Sequence, residues 1–221
     1  MKTSYKLLLA FFGLLVLLML IADGVIWANY KRGYTGKGPI KTEVNTPQLG
    51  VKLPAFKVLK INGVPGHNLS IIKGDTGRII LSDGHQDAFL YTAQHDTVIL
   101  NLEGRNVSAL ECAGVEAIIL SSGGLVLSDF DGASLDIQSA ESCFIELVNV
   151  RIGKLRVNGG AQNELRLNGS TSKIDSLQVA LGKNSVMMSF DVSYGKVAVD
   201  VDSLRELQMT GASLSAMKQI R

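Results

Sequence analysis

Aromatic residues make up only 6% of this chain. Histidine occurs three times, cysteine twice and proline four times, and neither sign of charge dominates: 22 Lys and Arg against 20 Asp and Glu leave a formal net charge of +2. Each scarcity excludes something. Without a strong positive field or an aromatic cluster, the chain has neither the electrostatic footprint nor the stacking platforms of a nucleic-acid binder. Two cysteines, Cys112 and Cys143, have no metal-type spacing. They stand about one and a half repeat periods apart, which argues against simple stacking, so two buried free thiols is the expected state and a disulfide the alternative. Few prolines beside 23 glycines suit many short strands joined by tight turns.

What the chain does have is rhythm. Leu125-x-Leu127, Ile145-x-Leu147, Leu165-x-Leu167, Val186-x-Met188 and Leu207-x-Met209 form one series of apolar-x-apolar triplets. Leu135-x-Ile137, Leu155-x-Val157, Leu177-x-Val179 and Val197-x-Val199 form a second, offset by half a period. Alternation of this kind is the mark of a strand with one buried face. Turn residues follow the triplets, as in Asn158-Gly159-Gly160, Asn168-Gly169-Ser170 and Thr210-Gly211-Ala212. Short strands recurring at roughly 20 residues predict an all-β parallel β-solenoid, or β-helix, in which each coil buries the apolar face of the next.

The register has an internal check. Stacked coils bring successive outward residues to about 4.8 Å from each other. The first series presents Val126, Glu146, Arg166, Met187 and Gln208, and the second Asp136, Arg156, Gln178 and Ala198. Glu146 is then expected beside Arg166 and Asp136 beside Arg156, with no like charges meeting.

One long apolar run stands apart from the repeats. Residues 7 to 22, LLLAFFGLLVLLMLIA, carry no charge, and Val25-Ile26-Trp27-Ala28 resume after Asp23-Gly24. About 22 residues suffice to span a bilayer as a helix. Trp27, Tyr30, Lys31 and Arg32 have the composition of an interface. A cleaved signal peptide is the rival reading, but Ile26-Trp27-Ala28 is a poor cleavage site and no lipoprotein cysteine follows. The expected organisation is an anchor at 1–28, a Gly- and Pro-bearing linker at 29–55 and a solenoid at 56–221. The expected location is the cell inner membrane, single-pass, with the lipid bilayer contacting residues 7–28 and the solenoid in the periplasm. Before about residue 120 the rhythm is irregular, so those strands are expected to be distorted rungs or a cap. Ser213 to Arg221 form the cap candidate at the other end.

The segment from about Leu125 to Met209 resembles the GIN domain, a head domain of bacterial auto-transporter adhesins, through weak repeats such as LRVNGG, LRLNGS and LQMTGA. An anchor followed by such a domain is similar to envelope proteins of Bacteroidetes-type bacteria. The resemblance implies an adhesin-like function, and it brings no catalytic residues.

Candidate chemistry is sparse. Asp83-Gly84-His85-Gln86-Asp87 with His95-Asp96 could ligate a divalent metal, but Asp-Gly beside a strand also reads as a turn. Asp129, Asp131 and Asp136 invite a carbohydrate-active reading, since glycoside hydrolysis needs two carboxylates at a set separation. Ser128 to Gly132 reads equally as a corner loop. No Gly-x-Ser-x-Gly elbow occurs, no phosphate loop, and no histidine after His95. His67 reads as a solvated turn residue. Asn68-Leu69-Ser70, Asn106-Val107-Ser108 and Asn168-Gly169-Ser170 match glycosylation acceptors, though turn chemistry selects the same triplets. The expectation is a non-enzymatic, membrane-anchored envelope protein whose solenoid is a binding, adhesion or scaffold surface for an envelope protein or glycan. No catalytic set, cofactor or metal is expected. The alternative is a carbohydrate-active β-helix enzyme acting on polysaccharide.

Overall fold

The computed structural model describes residues 50–63, 66–81, 91–102 and 107–216, together with Met19 and Asp23. The expected anchor (apart from Met19 and Asp23), most of the linker and the Asp83–Asp87 cluster lie outside the described residues. Among the described residues, no helix is long and apolar enough to cross a membrane.

The described residues form strands β1 (Gly50–Lys52), β2 (Val58–Asn62), β3 (Asn68–Lys73), β4 (Arg78–Leu81), β5 (Tyr91–Gln94), β6 (Thr97–Asn101), β7 (Val107–Cys112), β8 (Ala117–Ser122) and β9 (Gly124–Ser128). They continue through β10 (Asp131–Ser139), β11 (Phe144–Val148), β12 (Arg151–Gly159), β13 (Glu164–Asn168), β14 (Lys173–Leu181), β15 (Ser185–Phe190), β16 (Ser193–Val201) and β17 (Leu204–Thr210), with a short helix at Ala212–Ala216. One sheet has the order β1-β4-β7-β3-β9-β11-β13-β15-β17, and the other β16-β14-β12-β10-β8-β2-β6-β5. From β8 onward the chain alternates between the sheets and every pairing is parallel, giving a parallel β-solenoid of about five turns in sequence order. Strand β1 and buried Leu53 fall within the stretch read from sequence as linker.

Stacking follows the triplets. Leu135, Leu155, Leu177 and Val197 lie over one another, as do Ile137, Val157, Val179 and Val199. In the other sheet the column runs Leu125, Ile145, Leu165, Met187, Leu207, and beside it Leu127, Leu147, Leu167, Ser189, Met209. The fourth member of the first series is therefore Met187-x-Ser189, not Val186-x-Met188. The chain is apolar at 186, 187 and 188, so alternation there cannot choose a face. The choice is made upstream: Val148 pairs with Asn168 but Arg151 with Lys173, so the turn at Gly169 to Thr171 holds two extra residues. An extra pair of residues preserves which side faces in, whereas a single one inverts it.

The corners are equally regular. Asp129, Asn149 and Asp191 adopt φ of 55°, 56° and 57°, and Ser142, Gln162 and Asn184 adopt 57°, 59° and 61°. Each coil thus turns at a left-handed residue, a conformation that Asp and Asn tolerate better than most. Just inside the corners, buried polar groups are bonded. Asn163 Oδ1 accepts the Cys143 N–H at 2.7 Å, its Nδ2 donates to Ser139 and Gly160, and Ser185 Oγ accepts the Asn163 N–H at 3.2 Å. Ser172 Oγ does the same for Val150 at 3.1 Å.

Upstream of β8 the strands are rungs of the same solenoid, stacked out of chain order. β2 lies between β8 and β6, and β3 between β9 and β7, all parallel. Leu59 sits under Ile118 and over Val98, and Leu69 pairs with Leu125. The chain lays down β2 and β3, passes beneath them to make β6 and β7, then steps over both to begin β8. The step onto β8 runs through residues 113–116, where the Glu116 and Ala117 N–H groups donate to the Lys57 carbonyl at 2.8 and 3.1 Å. At the far end of the same two rungs the corners pack closely: a Cβ on Gly63 would fall inside contact distance of the Ser122 carbonyl, and Ser122 Oγ donates to the Gly63 carbonyl at 2.7 Å. The expected cap is found further out, where β4 and β1 continue one sheet antiparallel and β5 the other.

A single column of Leu, Ile and Val runs through the interior, including Leu59, Ile71, Ile118, Leu125, Ile145, Leu155 and Leu165, each with no exposed surface. Full burial of one such side chain contributes about 1.5–3 kcal/mol. Both cysteines are buried and free. Burial pushes the Cys112 thiol up to about 11 and raises that of Cys143, so both stay protonated and unreactive at neutral pH.

Candidate binding face

The outward residues of the second sheet form straight columns. Ser134, Lys154, Ser176 and Lys196 make one, Asp136, Arg156, Gln178 and Ala198 the next, and Gln138, Asn158, Ala180 and Asp200 the third. Neighbours in a column stand about 4.8 Å apart, which also sets the spacing between columns' rungs. Strand β12 is the centre of charge: Arg151, Lys154 and Arg156 are all exposed, because its buried residues are Ile152, Leu155 and Val157. Lys173 and Lys196 flank them on the next two rungs, both exposed.

Arg156 is held in place. Its Nη1 lies 3.6 Å from Asp136 Oδ2 and its Nε donates to Gln178 Oε1 at 3.3 Å, so three successive rungs are tied together. Lys154 and Lys196 make no ion pair among the described residues and present ammonium groups to whatever lies on the face. Beside the third column runs an open groove of about 690 Å³, floored by Gly159, Ala180 and Gly182 and walled by Asn158, Asp200 and Asp202. The small residues keep the floor low, and the amides and carboxylates offer hydrogen bonds to a polar chain lying along it.

The outer face of the first sheet differs. Phe144, Val126, Val148, Met188 and Phe190 lie half-buried there among polar side chains. Arg166 covers Phe144 at 5.2 Å from the ring centre and bonds Glu164 at 2.6 Å. Glu146, its neighbour across the rung, accepts instead from Asn168 Nδ2 at 2.6 Å. The expected Glu146–Arg166 adjacency holds in register but the ion pair forms with Glu164, whose side chain shares Arg166's strand and face. These charges are already satisfied by neighbours and less available to a ligand.

The three aspartates of the carbohydrate-active reading are all placed by the fold. Asp129 is a left-handed corner residue. Asp131 Oδ2 is 2.9 Å from Lys73 Nζ, whose hydrogen bond holds the carboxyl below its ordinary range, and Asp136 is bound to Arg156. His95 and Asp96 form the exposed turn between β5 and β6, with His95 at φ 52°. His67 is exposed, and its carbonyl accepts the Gly124 N–H at 2.8 Å. Asn68 begins β3 and Asn168 ends β13, while Asn106 lies outside the described residues. Among the described residues no group of three or more His, Cys, Asp or Glu could hold a metal ion. Reading the sequence for reaction chemistry passed over Lys154, Lys196, Asn158 and Asp200. Their signal was the alternation carried one residue beyond the triplets: Lys154 and Asn158 flank Leu155-x-Val157, and Lys196 and Asp200 flank Val197-x-Val199.

No protein-family model matches the chain, and no curated protein matches it. Among solved structures, the chain is similar to one described as a "putative adhesin" from Parabacteroides merdae, at 9% identity and a TM-score of 0.38. The similarity covers 73% of this chain and 95% of that one.

Proposed function

We propose that this chain is a membrane-anchored, non-enzymatic envelope protein whose β-solenoid binds an acidic envelope glycan on the outer face of its second sheet. The observation that carries the reading is the basic face formed by Arg151, Lys154 and Arg156, with Lys173 and Lys196 on the next two rungs. A flat face with basic and polar groups at strand spacing suits an extended acidic polymer, since several rungs can each hold one of its units with a charge-assisted hydrogen bond. Acidic sugars complement its lysines and arginines. The anchor at residues 7–28, a periplasmic solenoid and a GIN-type head domain belong to the same proposal and rest on the sequence.

The test uses the full chain in detergent, with polygalacturonate as acidic polymer and dextran as neutral control. Retention by polygalacturonate that weakens with salt, and falls about tenfold or more in Lys154→Glu/Arg156→Glu, is the expected result. Equal binding of dextran, or no effect of the double variant, removes the face from consideration. Release of new sugar ends would turn the reading to the carbohydrate-active enzyme. Labelling of Lys218→Cys by an impermeant thiol reagent, in cells with an opened outer membrane, checks the periplasmic side.

A further inference from the structure

The two ends of the solenoid are finished differently. Among the described residues, the sheets stop at one end at β1, of three residues, and β5, of four, both antiparallel to their neighbours. At the other they stop at β16, of nine residues, and β17, of seven, each paired on one side only among the described residues. A long strand edge presents a row of N–H and C=O groups that recruits another strand unless it is blunted. The core beneath this edge is also incompletely covered. The helix Ala212–Ala216 closes one corner, where Ser213 is buried and bonds Val192 and Ser189. Val197, Val199 and Val201 remain half-buried, although Leu177, Val179 and Leu181 one rung below are buried. Leu207 is 44% exposed, whereas Leu165 in the same column has no exposed surface.

We propose that a second copy of this chain covers this end, related by a two-fold axis through Ala198 that pairs β16 antiparallel with β16 of the other copy. The strand is self-complementary about that residue. Its outward side chains are Lys196, Ala198 and Asp200, and its inward ones include Val197 and Val199. A two-fold through Ala198 sets Lys196 of each copy across from Asp200 of the other, and Val197 across from Val199. An edge lysine ordinarily blunts pairing; here the opposite charge stands four residues along, where the symmetry needs it. Head-to-tail stacking would instead lay this nine-residue parallel edge on the four-residue β5, so the closed pair is the better match. The pair would also continue the second sheet's outer face across the axis, doubling it for a polymer ligand. The dimer does not depend on the glycan reading.

Sedimentation velocity of the detergent-solubilised full chain over a range of concentrations tests it. A monomer–dimer equilibrium is expected, with Lys196→Glu or Asp200→Lys each raising the dimer Kd about tenfold or more, since like charges then face each other twice. Lys196→Asp combined with Asp200→Lys restores the dimer. Ala198→Cys forms a disulfide-linked dimer under mild oxidation, because opposed residues of an antiparallel pair stand about 4.5–5.5 Å apart between Cα atoms. Gln178→Cys, one strand inward, does not. Cys112 and Cys143 are buried and stay silent. All of these positions are exposed, so the variants keep the fold. A monomer at every concentration, a polymer series without a dimer plateau, indifference to the charge reversals, or failure of Ala198→Cys to cross-link overturns the proposal.

Discussion

The coils from β8 onward and the rungs before them share one core and one residue pattern, but they are threaded differently. In the later part, chain order and spatial order agree, and neighbours are about 20 residues apart in sequence. In the earlier part β2 is clasped between β8 and β6, and β3 between β9 and β7. Each rung there looks ordinary: Leu59-x-Ile61 alternates just as Leu155-x-Val157 does. The difference lies in the connections. A regular coil leaves one place to go next, whereas the early strands must be bridged by a step from β7 to β8 through residues 113–116, past Lys57. What the comparison teaches is that the apolar-x-apolar triplet specifies a rung but not its neighbour.

The sharpest way to break the comparison is to hollow one rung in each part. Leu165→Ala in the regular coils and Leu69→Ala in the rethreaded ones should each cost about 2–5 kcal/mol, because both sit in the same continuous column. Urea unfolding should show one transition for both; two transitions would mean that the early rungs form a separate unit. Next comes the packing where β2 and β8 end, set against the step between β7 and β8. Gly63→Ala should cost about 1–3 kcal/mol through forced backbone displacement. Gly114→Ala, with open space around it, should change stability by less than about 0.5 kcal/mol. Similar values at both sites would remove the steric account of the Gly63 corner.

A subtler break concerns the corners. Asn163→Ala leaves the buried Cys143 N–H without its acceptor and should cost about 1–3 kcal/mol. The smallest effect expected is at the seam between the two parts, where Lys73 on β3 meets Asp131 on β10. Asp131 is held below its ordinary range, so the pair's contribution is present above the unfolded carboxylate pKa. It disappears as pH falls through the lower folded value. Wild type and Asp131→Asn should therefore differ slightly at neutral pH and converge on acidification. A difference that persists in acid would assign the effect to something other than charge.

Much of the later fold was legible. Every triplet of the second series stacks as its spacing predicts, and so do Leu125, Ile145, Leu165 and Leu207 of the first. The error at Val186 arose because three apolar residues in a row carry no period. The Asp136–Arg156 pair could be foreseen because both lie outward on adjacent rungs; the Glu164–Arg166 pair could not, because side-chain reach within one strand competed with the rung above. The polar face was visible residue by residue, but nothing in a linear reading marks five basic side chains on three separate strands as one surface.

By itself the sequence determined that this is a stack of short strands with one buried face, and which residues point inward wherever apolar and polar positions alternate, which they do not at 186–188. Those properties are local, set by alternation at a period of two. Only the tertiary structure decided which rung lies on which, how the early strands are interleaved, and which end is left open. Any triplet of Leu, Ile and Val fits any other, so the order is settled by the connections between rungs and not by the rungs themselves.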